Sequence, residues 1–439
     1  MKKFILLLPV CFSSIVSAQE TPDLRKCIDL ALKNNFALEI TRNNAQIAEN
    51  DVTLANAGYL PAVTAEARYS GSINNNVQTT YGGDKTTKNG VNNTAVDVGP
   101  ALSWNIFQGF RVRATYDRLK ELRSMGELSV KLQTEALIVD VAAEYYNLLS
   151  GKNRHANLKY ALSISSERLR LARTQFELGS RSKLDVLQAE VDFNADSSNL
   201  LMQQQSILQS ETRLKRLMGF EPTERMTIVD SIIPINDNLN YDSLHENMIQ
   251  DNITLQTLIR LKNISELDLK LIKSRSLPYL RFNTGFGYVQ NRYGTGDGPA
   301  SVKINENTGM NYGLTLGINL MDGFNSQRNK KNAELDIRNR ELDYKDAELY
   351  NKTELYNVFN SYRNNLNLLR METHNFATAE ENYETSMERF KLGVLSGIEL
   401  REAQINLQNA QERLLQAKYL TKIDEIRLIR LSGNIMNYF

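Results

Sequence analysis

Four stretches of the chain alternate apolar and polar residues with period two. After Pro61, Val63, Ala65, Ala67 and Tyr69 alternate with Thr64, Glu66, Arg68 and Ser70. Val96, Val98, Leu102, Trp104 and Ile106 alternate with Asp97, Gly99, Ser103 and Asn105. After Pro278, Phe282, Phe286 and Tyr288 alternate with Arg281, Asn283, Gly285 and Gly287. Met310, Tyr312, Leu314, Leu316, Ile318 and Leu320 alternate with Asn311, Gly313, Thr315, Gly317 and Asn319. This pattern predicts strands over about 61–75, 95–107, 278–290 and 309–321, each with one apolar and one polar face. An antiparallel sheet on an apolar core has this pattern. So does a membrane strand of about ten residues, apolar toward lipid and polar toward a lumen. The long loops between strands, "SINNNVQTTYGGDKTTKNGVNN" and "NRYGTGDGPASVKINENTG", favour the second. Trp104, Ile106, Tyr288, Leu314, Leu316 and Ile318 are then expected to face lipid. Four strands cannot close a barrel, and an open edge in lipid costs several kcal/mol per unpaired backbone group. Single-chain barrels begin at about eight strands, so several copies are expected to share one barrel.

The rest of the chain changes period. Leu355, Phe359, Tyr362, Leu366, Leu369, Phe376, Tyr383, Met387 and Phe390 step by fours and threes, with Thr373 and Glu380 as polar members of the stripe. After a glycine turn come Leu400, Ala403, Leu407, Ala410, Leu414 and Ala417. This is a coiled-coil seam whose small residues let helices approach closely. The other faces are Asn, Gln, Lys, Glu and Arg, so the helices are wet on most sides. A helix running from about 325 to 391 would be on the order of 100 Å long if continuous. The fold class is therefore mainly α with membrane β: long coiled-coil helices joined to four strands. Helices alone would equally suit a structural envelope stalk or adhesin; the alternating strands argue for the channel.

The sequence is stated twice. "RTQFELGSRSKLDVLQAE", from Arg173, matches "MERFKLGVLSGIELREAQ", from Met387, at a constant offset (390 − 176 = 214). "RLKRLMG" and "RLIRLSG" share that offset, as do "NIFQGF" and "NLMDGF". Asn35 and Pro61 match Asn252 and Pro278 at an offset of 217, so one loop differs by three residues. Such self-similarity marks tandem copies of one unit. The expected layout is a first repeat over 19–225, with its turn at 179–182, a connector over 226–239, and a second repeat over 240–439, with its turn at 393–396.

Residues 1–18 have the form of a secretory signal: Lys2 and Lys3, then "FILLLPVCFSSIV", then cleavage after Ala18. Acylation at Cys11 is the alternative, and Val10 is a poor residue to precede such a site. Cys27 is then the only cysteine left, so no intramolecular disulfide forms. The net charge of +1 becomes −1 once Lys2 and Lys3 are removed, which leaves no electrostatic footprint for nucleic acid. His155, His245 and His374 are isolated, outside any HExxH pattern, and give no metal site. "YGGDKTTKNG" lacks the phosphate-loop spacing. No nucleophile–base arrangement points to a periplasmic hydrolase. No enzyme activity and no cofactor are expected.

These residues, taken together, resemble the TolC-like outer membrane efflux protein family over essentially the whole mature chain. The resemblance rests on the duplication, Leu60-Pro61 and Leu277-Pro278 before the first strand of each copy, "FQGF" and "MDGF", the F-x-L-G-x-x-S turns, and "SKLDVLQAE". It implies a homotrimer in the outer membrane with a large periplasmic part. Each protomer would give four strands to a twelve-stranded barrel, and the helices would form a periplasmic α-barrel. It implies an export duct for small molecules or proteins, serving a tripartite efflux or type I secretion system with a periplasmic adaptor protein and an inner-membrane pump as partners. In the family the hairpin tips meet the adaptor. That role carries over to Phe176, Leu178, Gly179, Ser180, Arg181 and Ser182 in the first copy, and to Phe390, Leu392, Gly393, Val394, Leu395 and Ser396 in the second. The family's channel narrows at this end, where acidic residues stand six and nine positions past the second glycine. Here these are Glu399 and Glu402, on one helix face by their i, i+3 spacing. Six such carboxylates around an axis would hold the aperture shut or bind cations, and their mutual repulsion would raise their pKa values. The basic residue two past the glycine is Arg181 in the first copy but Leu395 in the second, so a second-copy arginine latch is not expected.

Overall fold

A computed structural model describes residues 22–224, 228, 230–294 and 302–439. The expected signal peptide, with Ala18 and Cys11, lies outside the described residues, as does part of the connector. The chain forms two compact units. One comprises residues up to Ile40, Lys131–Asn252 and Leu349–Phe439; the other comprises Thr41–Val130 and Ile253–Glu348. Each unit takes pieces of both sequence copies, so the compact bodies do not follow the tandem order of the chain.

The second of these units holds the sheet. Strands β1 (Ala62–Thr79), β2 (Lys85–Gln108), β3 (Tyr279–Arg292) and β4 (Ile304–Gly317) form one sheet in the order β1-β2-β3-β4. All three pairings are antiparallel. Four ends differ from the sequence expectation by several residues. β1 runs on to Thr79 and β2 begins at Lys85, so most of the Asn- and Thr-rich stretch read as a loop is ladder, down to the pair Thr79↔Lys85. Ile73, Val77 and Val91 are the few apolar residues among the Asn, Thr, Gln and Lys of these arms, too sparse to show the alternation that marks a strand, while the backbone remains free to pair. β4 begins at Ile304 and stops at Gly317, short of 321. Gly317 lies opposite Tyr279, the first residue of β3, so the strand beside β4 goes no further.

The register lines up the apolar faces. Trp104 pairs with Phe282, which pairs with Leu314; Val98 pairs with Tyr288; Leu280 pairs with Leu316. Ile106 sits at the irregularity between Asn105 and Phe107, and Ile318 follows the end of β4. Trp104, Ile106, Leu314, Leu316 and Ile318 are exposed and Tyr288 is half-buried. Beneath the sheet, helices α2 (Phe36–Asn50), α3 (Leu54–Ala57), α4 (Arg111–Glu177), α7 (Ile253–Ser274) and α8 (Asn325–Lys391) contribute to the unit. Arg118 of α4 bonds Asp268 of α7 at 2.8 Å, and Arg260 of α7 approaches Glu121 of α4 at 3.3 Å. The strand-to-helix joints are a pair of left-handed residues in each copy: Gly109 and Phe110 (φ 58° and 66°), and Gly323 and Phe324 (φ 65° and 63°). A Phe at positive φ is a strained choice, accepted here twice at the same repeat position.

The other unit is helical. It contains α1 (Leu24–Asn34), α5 (Lys183–Leu217), α6 (Tyr241–Asp251), α9 (Gly397–Leu431), the short α10 (Ile435–Tyr438) and the later parts of α4 and α8. α4 and α8 each have 67 residues and α5 and α9 each have 35, every boundary shifted by 214. The amide of Asn35 donates to the Leu217 carbonyl at 3.0 Å, and that of Asn252 to the Leu431 carbonyl at 3.1 Å, closing equivalent helix ends in the two copies. Leu355, Tyr362, Tyr383, Phe390, Leu400, Ala403, Leu407 and Ala410 are buried, as the seam predicts. Thr373 and Glu380 are exposed, and Leu415 rather than Leu414 is buried, because the seam drifts by one residue toward the end of α9. Among the described residues no helix is long and apolar enough to cross a membrane.

Candidate functional site: the hairpin tips

Each long helix ends in the same turn. The Ser180 amide donates to the Gln175 carbonyl and the Gly179 amide to Phe176; in the second copy Val394 donates to Arg389 and Gly393 to Phe390. This is the 6→1, 5→2 closure that needs a left-handed residue after the helix. Gly179 (φ 75°) and Gly393 (φ 74°) supply it. The returning helices start at capping boxes. The Ser182 hydroxyl accepts from the Asp185 amide while the Asp185 carboxylate accepts from the Ser182 amide at 3.0 Å. Ser396 and Glu399 do the same, with Glu399 accepting from the Ser396 amide at 2.9 Å. Hydrogen bonds from Ser182 and Ser396 hold the Asp185 and Glu399 carboxyls below their usual ranges. The upward shift expected of Glu399 belongs to several carboxylates crowded round an axis. Within one chain the cap pulls the other way. Glu402 is exposed one turn further on.

The two tips differ in what they bury. Phe390 is 2% exposed and Phe176 is 43% exposed, although they hold the same repeat position. Phe390 packs in an apolar cluster with Ile164 of α4, Tyr383 of its own helix, and Leu400, Ala403 and Leu407 of α9. Arg181 adds to this cover: its guanidinium lies over the Phe390 ring at 5.3 Å, and its Nη2 reaches the Leu395 carbonyl at 3.5 Å. Leu395 is the residue equivalent to Arg181 in the second copy, so the arginine of one tip braces the other. Leu178, Ser180, Ser182, Leu392, Val394 and Ser396 are exposed and Leu395 is half-buried.

A cavity of about 430 Å³ opens beside this contact, lined by residues of both hairpins including Gln175, Arg181, Phe390, Ile398, Arg401 and Glu402. At its back lies a polar cluster that the sequence reading missed. Arg401 forms a two-pronged contact with Asp196 at 2.8 and 3.1 Å, Arg168 pairs with Asp192, and Ser165 donates to Asp196. The amide of Gln404 donates to the Ala161 carbonyl at 3.2 Å and to Ser165 Oγ at 3.1 Å. The cluster links α4, α5 and α9. Its sequence signal was the pair Asp192 and Asp196, four residues apart on the side of α5 that carries buried Ala189. Among the described residues no group of three or more His, Cys, Asp or Glu could hold a metal ion.

The outer membrane efflux protein family model matches residues 27–220 and 266–434, one segment in each copy. The chain belongs to this family. It is accordingly an outer-membrane channel protein for efflux with a large periplasmic part, in a family of channels rather than enzymes. Similar curated proteins are the outer membrane protein TolC of Vibrio cholerae serotype O1, 20% identical over 99% of this chain and 96% of that protein, and nodulation protein T of Rhizobium leguminosarum bv. viciae, 22% identical over 92% and 80%. Among solved structures, the Campylobacter jejuni CmeC outer membrane channel matches with a TM-score of 0.77 at 17% identity, over 94% of this chain and 86% of that one. The family's long helices and single sheet of four strands per chain are those described above.

Proposed function

We propose that three copies of the chain form one continuous duct. Each gives its four strands to a twelve-stranded barrel in the outer membrane, and the helices of its two tandem copies line a periplasmic tube. Small molecules or proteins leave through it, with a periplasmic adaptor protein and an inner-membrane pump supplying selection and energy. The duct does no chemistry and uses no cofactor. One observation carries the reading: a sheet with two edges and one exposed apolar face, in a family of outer-membrane efflux proteins. Backbone edges are tolerated in lipid only when another strand closes them. Trp104, Ile106, Tyr288, Leu314, Leu316 and Ile318 meet lipid. Phe176, Leu178, Gly179, Ser180, Arg181 and Ser182, with Leu392, Gly393, Val394, Leu395 and Ser396, present the adaptor surface; Phe390, expected among them, is buried and supports that surface from beneath. The glycines there act only by shaping the turns. Glu399 and Glu402 form the acidic aperture.

The test is conductance in a planar bilayer, with subunits counted by native mass spectrometry. A trimer of small conductance that rises in Glu399→Gln/Glu402→Gln supports duct and aperture together. A trimer whose conductance ignores those changes keeps the duct and removes the gate. A folded oligomer that neither inserts nor conducts overturns the duct.

A further inference from the structure

The two hairpins of the sheet share one register. Ala62 faces Ser103 in β1–β2, and Tyr279 faces Gly317 in β3–β4. The first members differ by 217 and the second by 214, the offsets of the sequence repeat. The middle pairing, β2–β3, therefore joins the last strand of one copy to the first strand of the other. The sheet's outer edges, β4 and β1, are again a last strand and a first strand. Resting on the trimer proposed above, we infer that β4 of one chain meets β1 of the next in the register of β2–β3. Asp97↔Val289 then becomes Asn311 opposite the partner's Ser72, and Phe107↔Leu280 becomes Met321 opposite the partner's Val63.

Three observations that did not enter the register support it. First, β2 ends at Gln108 but β4 ends at Gly317, whereas the residue equivalent to Gln108 is Asp322. Residues 318–322 lack only the strand that β3 gives to β2, and the partner's β1 supplies it. Second, a Cβ at Gly109 would stand 2.5 Å from the Ser274 carbonyl oxygen and 2.6 Å from the Leu277 side chain, residues just before β3. At the equivalent Gly323 only the side chain of Asn325, 3.8 Å away, comes near. The partner's Leu60, equivalent to Leu277 and exposed here, fills that space. Third, the helices below show the same contrast. Leu128 of α4 and Ile264 of α7, on the two helices joined by Arg118–Asp268, are each 8% exposed. Their equivalents Leu342 and Ile47 are 55% and 58% exposed. One copy's junction is closed and the other is open for a second chain. The register also sets apolar residues opposite apolar ones, Met310 facing the partner's Ile73, where a slip of one residue would oppose unlike faces.

The test is disulfide trapping in the full-length protein carrying Cys27→Ser. Directly opposite residues are about 5 Å apart at Cα, within disulfide reach. Asn311→Cys/Ser72→Cys should link most chains into covalent trimers under mild oxidation. Asn311→Cys with Ser70→Cys or Asn74→Cys, displaced by two residues, should give less than about a tenth as much. Stronger linking by a displaced pair, in a population counted as trimeric, overturns the register and leaves the duct standing. Monomers throughout overturn both. Hydrogen exchange on the unaltered protein gives a second measurement. Amides 318–322 should be protected in the trimer to within about tenfold of 104–108, and rapid exchange there overturns the extension of β4.

Discussion

Phe176 and Phe390 show how packing breaks a repeat. Both stand three residues before a turn glycine, and nothing local distinguishes them. The difference lies in what reaches each ring: Phe390 is enclosed by Ile164 of α4 and by Leu400, Ala403 and Leu407 of α9, with Arg181 lying over it, and none of these contacts is displayed by the sequence. Replacing Arg181 with Met should loosen the second tip and leave the first unchanged. A cation–π contact of this kind is worth about 0.5–1 kcal/mol, so amides 393–396 should exchange roughly two- to fivefold faster. Glu399 carries two roles that substitutions can separate. Gln keeps the capping box while removing the charge, whereas Ala loses the half of the box that accepts from the Ser396 amide. Thermal melting should therefore barely move in Glu399→Gln and fall in Glu399→Ala, while any gating effect appears in both. Glu135 in α4 is a third case. It is 3% exposed, and burial pushes its carboxyl up to about 7 against the pull of Arg430. Its folded pKa lies above the unfolded value, so its proton favours the folded state. Stability from this group falls as pH rises from about 4.5 to about 7, by roughly 3 kcal/mol in all. Denaturation at pH 5 and pH 8 should show that slope in the native protein and lose it in Glu135→Gln.

At the scale of elements, legibility followed the contrast between faces. Where Leu, Trp and Tyr alternate with Asn, Gly and Thr, the strand is visible in the sequence. In the arms beyond Ser72 only Ile73, Val77 and Val91 are apolar, too few to mark an alternation, and the pairing rests mainly on backbone. The coiled-coil stripe was legible because its apolar members outnumber Thr373 and Glu380. The cluster behind the tip cavity was not, because Arg168, Asp196 and Gln404 resemble the solvated positions around them until three helices converge. Removing one member should be costly. Arg401→Ala leaves Asp196 buried without its two-pronged partner, an effect of about 3 kcal/mol in unfolding measurements. The turn glycines act through conformation only. A Cβ at Gly179 or Gly393 meets nothing within 4 Å, so the cost of Gly→Ala there comes from the positive φ alone, about 1 kcal/mol.

For the whole molecule, the duplication states the architecture before any contact is seen, and the offsets of 214 and 217 recur in helix ends and strand registers alike. What one sequence cannot display is which copy of a repeated surface finds its partner within the chain. Leu128 and Leu342 are both leucines on matching helices, yet one is covered and the other is not.

The unequal tips have a consequence for assembly. Within one chain the second tip is finished, with Phe390 enclosed by Ile164 of α4 and by Leu400, Ala403 and Leu407 of α9, while Phe176 of the first stays bare. In the proposed ring the missing cover for Phe176 comes from the neighbouring chain. A partner that reads both tips then finds a complete berth only on the closed ring, and a lone chain offers it half of one.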